Sequence, residues 1–292
     1  MTTAQFNDTY RKYEDHLYLI NASSCTRKAY LSNFRRYFLY CNENNIAEAL
    51  QQEYVRQYLV YRVKNGAKWQ TMNNIYSAMR KLFREVLQID WSFKKLPRPK
   101  KERYLPQILS QQDVQKLIIN ASNTKHQAII VTLYSTGMRL NELRMLKISD
   151  IDSDRLQIRI SKGKGAKDRY IQIPDILITV LRAYFIALKP KDYLFNGRIS
   201  GTPISARAVQ WAIKSVLAKC KILKTASPHT LRHCYATHHL ESGTDLVYLQ
   251  ENMGHKHLKT TARYIHLCKE RYQHINHPIA HMDIPLCRKT MV

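Results

Sequence analysis

The chain has 292 residues, enough for two domains of ordinary size, and 45% of them are hydrophobic, enough to build real cores. Lysine and arginine together number 47 against 22 acidic residues, so the formal net charge is +25. A chain this basic is typical of a protein whose partner is a polyanion, most often nucleic acid. No basic region followed by an apolar run begins the chain, and no stretch is apolar enough to span a bilayer, so neither a signal peptide nor a membrane partner is predicted.

The cysteines are widely spaced and none forms a C-x-x-C pair, which argues against a zinc ribbon or a redox dithiol. They are Cys25, Cys41, Cys220, Cys234, Cys268 and Cys287. A chain of this length also has no need of a disulfide framework. We therefore expect a reducing, cytoplasmic environment.

Residues 1–93 are predicted to form a helical bundle, because apolar residues recur at helical spacing in four successive runs. Basic residues interleave with the tyrosines of these runs, so the tyrosines are interpreted as packing groups rather than base-stacking groups. The basic faces suit a DNA backbone. The DNA-binding candidates of this region are Arg35, Arg36, Lys68 and Arg80.

Residues 94–106 hold three prolines and six basic residues, which indicates an extended linker. Its charge suits a strap across phosphates, although a solvated hinge would have the same composition. The DNA-binding candidates here are Lys94, Lys95, Arg98, Lys100, Lys101 and Arg103.

Beyond the linker, helical and strand-like patterns alternate. Ser110 is an expected N-cap for a helix ending at Ile119, and Thr136-Gly137 should end the next helix. Two segments of period two, 156–160 and 169–173, flank a glycine-containing hairpin tip. Further helices are predicted over 138–146, 175–188, 205–220, 227–242 and 245–253, and from Thr261 onward.

Ionisable side chains in this second region form a pattern that suits a phosphate ester. His229 and Arg232 are three residues apart and should share a helix face. His255 follows a glycine at a helix end, and Tyr264 is expected about one turn into the next helix, which Thr260 and Thr261 would cap.

Arg139 is expected in the first turn of its helix, with Glu142 on the same face to hold it. Taken alone, such a pair is usually a surface ion pair. The histidines His229 and His233 are not accompanied by H-E-x-x-H or an acidic cluster, so no metal site is predicted.

In order, the motifs are T-G-M-R-L-N-E-L, G-K-G-A-K-D-R, H-T-L-R-H, M-G-H and a tyrosine nine residues on. This series resembles the catalytic domain of the tyrosine recombinases, the phage-integrase and Xer-type site-specific DNA recombinases. The resemblance implies a mainly α fold with a small β-sheet, in which two domains form a clamp around DNA. The helical core-binding (SAM-like) domain would be 1–93, the catalytic domain 107–272, and 273–292 a tail for docking onto a neighbouring subunit.

The resemblance also assigns roles. Arg139, Arg232 and His255 would hold the phosphate, His229 would take the tyrosine proton, and Lys164 on the hairpin would protonate the leaving oxygen. Tyr264 would be the nucleophile, with Tyr235, Tyr248 and Tyr272 as rivals. Lys162 and Lys167 compete with Lys164 and are also DNA-binding candidates. The one departure, M-G-H where the family has L-G-H, is an apolar exchange.

The implied activity is cutting and rejoining of DNA strands through a 3′-phosphotyrosyl intermediate, with no metal, ATP or other cofactor. The implied partners are double-stranded recombination sites, bound as a homotetramer on two duplexes by a protein that is a monomer or weak dimer without DNA. The resemblance also implies that the protein is located in the cytoplasm, in association with the nucleoid. A type IB topoisomerase and a catalytically silent DNA-binding protein remain as alternatives, and integration, excision, inversion, resolution and transposition remain open as biological roles.

Overall fold

A computed structural model describes residues 2–92, 96–99, 107–161, 168–199 and 201–268. The chain divides into two compact units, Met1–Tyr104 and Leu105–Val292. Several predicted residues lie outside the described ranges: Lys94, Lys95, Lys100, Lys101, Arg103, Lys162, Lys164, Lys167, Tyr272 and the tail 273–292.

The first unit contains the four predicted helices. They are α1 (Thr3–Leu19), α2 (Ser24–Glu43), α3 (Gln52–Lys64) and α4 (Trp69–Lys81), which continues into a π-helical turn at Leu82–Val86. The tyrosines pack in the core as expected: Tyr13 and Tyr37 are fully buried, and their hydroxyls donate to the carbonyls of Ala78 and Ala49 at 2.7 and 2.6 Å. Each buried hydroxyl thus keeps a hydrogen-bond partner.

The basic residues of this unit lie mainly on its surface. Arg35 and Arg36 are exposed on α2, and Lys68 is exposed at the N-cap of α4. Arg80 is half-buried on α4. Arg98 is exposed, and its Nε donates to the side-chain oxygen of Asn73 at 2.9 Å. Their contact with DNA stays a prediction.

The second unit is a helical domain with one small sheet. Its helices are α5 (Gln111–Ile119), α6 (Thr124–Thr136), α7 (Leu140–Met145), α8 (Asp175–Leu188), α9 (Ala206–Lys219), α10 (Pro228–Glu241), α11 (Leu246–Met253) and α12 (Leu258–Ala262). Short 3-10 turns lie after α7, at Ile148–Asp150, and after α12, at Ile265–Leu267. The expected mainly α fold with a small sheet is confirmed.

The sheet has three antiparallel strands in the order β1 (Ile151–Asp152), β2 (Gln157–Ile160) and β3 (Arg169–Gln172). Strand β1 was not predicted, because two residues are too few to show a period. Strand β2 begins one residue later than predicted, because Leu156 has a φ of +53°, a left-handed conformation that cannot belong to a strand.

Helix α6 forms the centre of this unit. Ile129, Ile130 and Leu133 are fully buried, and the helix packs against α8, α9 and α10. It ends at Gly137, which has a φ of +57°. A Cβ there would lie 2.3 Å from a ring carbon of Tyr235 on α10, so only glycine allows this close approach.

Two helix starts differ from the predictions. Arg139 is the N-cap of α7 rather than a residue of its first turn, since its backbone is extended. Helix α12 begins at Leu258, after an extended His257, and not at Thr261. Thr261 is therefore a buried residue within α12 and no cap, and Tyr264 lies just beyond the helix end instead of one turn into it.

Candidate active site

Arg232 is the buried centre of the site. Ser227 caps α10 by accepting a hydrogen bond from the Thr230 amide at 3.1 Å, and Pro228 occupies the first turn. This start places Arg232 in the second turn, where only 2% of the residue is exposed. A fully desolvated guanidinium needs hydrogen-bond partners, and it finds them in the loops that end α6 and α11.

The partners of Arg232 are all uncharged. Its Nη1 donates to the carbonyl of Gly137, and its Nη2 donates to the carbonyl of Met253 at 2.7 Å and meets His255 Nε2 at 2.9 Å. Burial, followed by the charge of Arg139, lowers the pKa of Arg232 to about 10, so it is a cation at neutral pH. Arginine has five N–H donors, so these three bonds leave others for an anion.

His255 is held between Arg232 and Thr261. Gly254 ends α11 in the left-handed conformation, and the turn brings the imidazole back to the site. Because arginine can only donate, Nε2 of His255 accepts, and Nδ1 carries the proton and donates to the Thr261 hydroxyl at 2.9 Å. Burial, then Arg232 and Arg139, lowers the pKa of His255 to about 3, so its ring is neutral.

Arg139 is fixed by a capping arrangement with Glu142. The carboxylate accepts from the Arg139 amide at 2.7 Å and from its Nη1 at 2.8 Å, while Nη2 donates to the carbonyl of Gly254 at 3.0 Å. Glu142 thus holds Arg139, as predicted. Arg169 completes the group, donating to both Glu142 oxygens at 3.1 and 2.8 Å and to the carbonyl of Asn252 at 2.8 Å.

Glu142 is strongly stabilised as an anion. Burial would raise its pKa, but hydrogen bonds and charge from Arg169, followed by those from Arg139, lower it to about 2. One buried carboxylate is therefore shared by two guanidinium groups, and Arg232 adds a third cation. The arrangement favours binding of a further anion.

Tyr264 reaches this centre from the end of α12. The residue is 6% exposed, its ring lies parallel to that of His255 with centroids 6.4 Å apart, and its hydroxyl lies 3.1 Å from His233 Nδ1. Burial raises the pKa of the phenol, and Arg232 and Arg263 oppose that rise. The protein alone thus keeps Tyr264 protonated at neutral pH.

The rival tyrosines do not share this environment. Tyr235 packs its ring against Gly137, and burial raises its pKa to about 12. Tyr248 is 44% exposed on α11. Of the tyrosines that the described ranges contain, Tyr264 is the one placed against both Arg232 and His255.

His229 lies at the solvent edge of the site. It is exposed in the first turn of α10, and its ring centroid is 4.3 Å from that of His233. Burial, then Arg232 and Arg139, lowers its pKa. The imidazole that contacts the Tyr264 hydroxyl is that of His233, one helical turn farther on.

Three residues of the site were not predicted from the sequence: Arg169, His233 and Thr261. Two of them carry a detectable signal. Arg169 shares a strand face with the buried Ile171, and an arginine facing a core indicates a buried ion pair. His233 follows His229 by four residues and so shares its helix face. The Thr261 contact depends on the start of α12, which the pattern misplaced.

Within the described ranges, no three His, Cys, Asp or Glu residues are grouped so as to hold a metal ion. Among the same residues, no helix has the length and apolarity needed to cross a bilayer.

Comparison with known proteins places these features in context. The family model for the phage integrase family matches residues 107–271, and the family model for the N-terminal SAM-like domain of phage integrases matches residues 10–93. A putative integrase/recombinase, y4qK of Sinorhizobium fredii, is 36% identical over 268 residues, covering 89% of this chain and 85% of that protein. Tyrosine recombinase XerA of Thermococcus kodakarensis is 34% identical over 263 residues, covering 88% and 90%.

Solved structures agree in fold. The crystal structure of XerA recombinase is 27% identical, with a TM-score of 0.53, and the match covers 91% of this chain and 95% of that one. The XerH site-specific recombinase bound to its difH substrate gives a TM-score of 0.68 at 21% identity, covering 84% and 78%.

Proposed function

Because this chain belongs to the phage integrase family of tyrosine recombinases, and is accordingly a site-specific DNA recombinase, we propose that Tyr264 is the nucleophile that attacks a DNA phosphodiester held by Arg139, Arg232 and His255. One observation carries this assignment. The buried phenol, the neutral imidazole of His255 and the buried cation of Arg232 converge, and the partners of Arg232 are uncharged.

The chemistry follows from charge. A phosphodiester carries one negative charge, and its five-coordinate transition state carries more on the oxygens that Arg139 and Arg232 would bind. Donors aimed at such developing charge each contribute roughly 2.7–4 kcal/mol by analogy with oxyanion holes. The phosphate and the guanidinium groups together would also exclude water from the phenol, which strengthens each of these interactions.

In the first step, Tyr264 gives its phenol proton to a neighbouring histidine of α10 and forms a bond to phosphorus, and the bond from phosphorus to the 5′ oxygen breaks. We propose Lys164 as the donor of the proton that this leaving oxygen needs. The 3′-phosphotyrosyl link keeps the energy of the broken bond, so a 5′-hydroxyl from a partner duplex can reverse the step without a cofactor. Each step breaks one ester bond to phosphorus and forms another, so the two steps together exchange strands without hydrolysis.

Double-stranded recombination sites are the partner that this reaction requires. The basic surface residues of the first unit, the linker 94–106 and Lys162 and Lys167 support binding to the DNA backbone. Exchange between two duplexes requires several active sites, so we propose a homotetramer on DNA, with 273–292 as a docking segment between subunits. Such a protein would act at the nucleoid in the cytoplasm.

The test begins with a catalytically dead protein. Tyr264→Phe is used to select duplexes from a random library, and the selected duplex is then nicked next to each candidate cleavage position. Wild-type protein should become covalently attached to the nicked duplex, whereas Tyr264→Phe should bind it equally well without attachment. Tyr248→Phe, which alters an exposed tyrosine of α11, is the matched control and should retain attachment.

Three outcomes would contradict the proposal. Binding without covalent attachment by the wild type would identify a silent DNA-binding protein. Relaxation of any supercoiled plasmid, without exchange between two copies of the selected duplex, would identify a type IB topoisomerase. Attachment that survives in Tyr264→Phe would move the nucleophile to another residue.

A further inference from the structure

His233 occupies a position that the assigned roles leave unexplained. It follows Arg232 directly on α10, it is half-buried, and its Nδ1 lies 3.1 Å from the Tyr264 hydroxyl. The two ring centroids are 5.4 Å apart with an angle of 53° between the rings. This is hydrogen-bond contact with the atom that must lose a proton when the tyrosine attacks phosphorus.

The direction of this hydrogen bond follows from the protons that the two groups carry. Burial raises the pKa of Tyr264, so the phenol holds its proton at neutral pH and can donate it. Nδ1 of His233 is the ring atom at hydrogen-bond distance, and it accepts this proton when the ring's own proton is on Nε2.

The charges around His233 keep its ring unprotonated. On α10 it faces His229 and Arg232, and from the segment after α12 it faces Arg263 and Tyr264. Burial, followed by the charges of His229, Arg232 and Arg263, lowers its pKa to about 4. A neutral imidazole with a free lone pair on Nδ1 is the form that can receive a proton.

DNA binding would then change this balance in the direction that catalysis needs. An incoming phosphodiester brings a negative charge to a cluster of cations, and opposite charge nearby raises the pKa of an imidazole. The phenol oxygen loses electron density as its bond to phosphorus forms, so its proton becomes more acidic during the attack. The proton affinities of the phenol and of the imidazole are thereby brought closer together, which favours transfer over the 3.1 Å hydrogen bond.

We propose that His233 is the general base for Tyr264, a role that the sequence had indicated for His229. As the bond from the Tyr264 oxygen to phosphorus forms, the phenol proton moves to His233 Nδ1, and the bond from phosphorus to the 5′ oxygen breaks. In the second step, an incoming 5′-hydroxyl attacks phosphorus and gives its proton back to the group that protonated the leaving 5′ oxygen, while the bond to Tyr264 breaks and His233 returns its proton to the phenolate. His229, exposed at the edge of the site, would then be available to bind the phosphate instead of taking the phenol proton.

This inference rests on the proposed function, since it needs Tyr264 to be the nucleophile. The test uses His233→Asn, because the asparagine side-chain oxygen can take the place of Nδ1 as a hydrogen-bond acceptor but cannot take up a proton. The matched control is His239→Asn. His239 is a half-buried histidine on the same helix, and its Nδ1 also contacts a hydroxyl, that of Thr244 at 3.1 Å, away from the site.

The probe is the nicked duplex selected with Tyr264→Phe, and the readout is the single-turnover rate of covalent attachment at saturating protein. At neutral pH we expect His233→Asn to be slower by about 100-fold or more, the scale of a lost general base. Its DNA affinity should stay within about twofold of wild type, and His239→Asn should match wild type in both rate and affinity. As the pH rises towards about 10, where a phenol ionises unaided, the deficit of His233→Asn should shrink.

A deficit that is constant across pH would show a merely structural role, and a rate within about threefold of wild type at neutral pH would exclude the base role altogether. If the wild type forms no adduct, the proposed function fails first, and the inference fails with it.

A measurement without DNA tests the inference independently of the proposed function. Nitrogen-15 NMR of the histidine rings at neutral pH should show His233 as the Nε2–H tautomer, with its signals identified by their loss in His233→Asn. A ring protonated on Nδ1, or on both nitrogens, could not accept the phenol proton and would overturn the proposal.

Discussion

Replacing Glu142 with Gln removes the one charge that Arg139 and Arg169 share while keeping the shape of the side chain. The pKa of this carboxyl falls from an ordinary 4.5 to about 2 in the folded protein. At about 1.4 kcal/mol for each pKa unit, this difference corresponds to about 3 kcal/mol of folding free energy at neutral pH. The Glu142 side chain is 9% exposed, so solvent screens this contribution little.

The pH dependence has a definite sign. Because the folded pKa lies below the unfolded one, the contribution of Glu142 is fully present above about pH 4.5 and is lost as the pH falls towards about 2. Urea unfolding followed by circular dichroism should show Glu142→Gln destabilised by about 3 kcal/mol at pH 7. The gap to wild type should narrow as the pH falls below about 4.5.

A surface ion pair of the same unit supplies the control. Arg155 is 80% exposed and lies 4.0 Å from Asp152, so Arg155→Gln should change the free energy of unfolding by less than about 1 kcal/mol. A loss below about 1 kcal/mol for Glu142→Gln at pH 7, or a loss independent of pH, would refute the reasoning. Either result would mean that the carboxylate is not a stabilised anion in the folded protein.

Two further changes test the framework around Arg232. Gly137→Ala should destabilise the second unit by about 1–3 kcal/mol in urea unfolding, since the added Cβ meets the Tyr235 ring at 2.3 Å and the φ is +57°; an unchanged midpoint would show that α10 moves freely. Thr261→Val removes the acceptor that orients His255 and should slow covalent attachment to the selected nicked duplex by about 10-fold, whereas Thr261→Ser should keep the wild-type rate. Equal rates for Val and Ser would rule out that orienting role.

Much of the fold was predictable because its signals are local. Helix α8 has the predicted bounds, since Pro174 ends the strand before it and a continuous apolar pattern follows. The start of α12 was not predictable in this way. The hydroxyl of Thr261 fits a capping role by sequence, but it contacts His255 instead, and that choice depends on tertiary structure.

In the candidate site, too, features set by local sequence were predictable and features set by tertiary structure were not. Motif order predicted Arg232 and Tyr264 for one site, because each sits in a short recognisable segment. The structure places both beside the ring of His255, and their catalytic roles stay a prediction. The identity of the imidazole beside the phenol was not predictable, because His229 and His233 lie on one helix face. Only the position of Tyr264 beyond the end of α12 decides that His233 is the one in contact.

The anchoring of Arg232 has a consequence for redesign. Two of its three bonds go to main-chain carbonyls, at Gly137 and Met253, so the position of the guanidinium is encoded by loop geometry rather than by neighbouring side chains. Surface residues predicted to bind DNA can therefore be varied without moving this group. We expect target preference to be exchangeable among variants of this scaffold while the chemical step keeps its rate, provided that the helix ends at Gly137 and Gly254 are left intact.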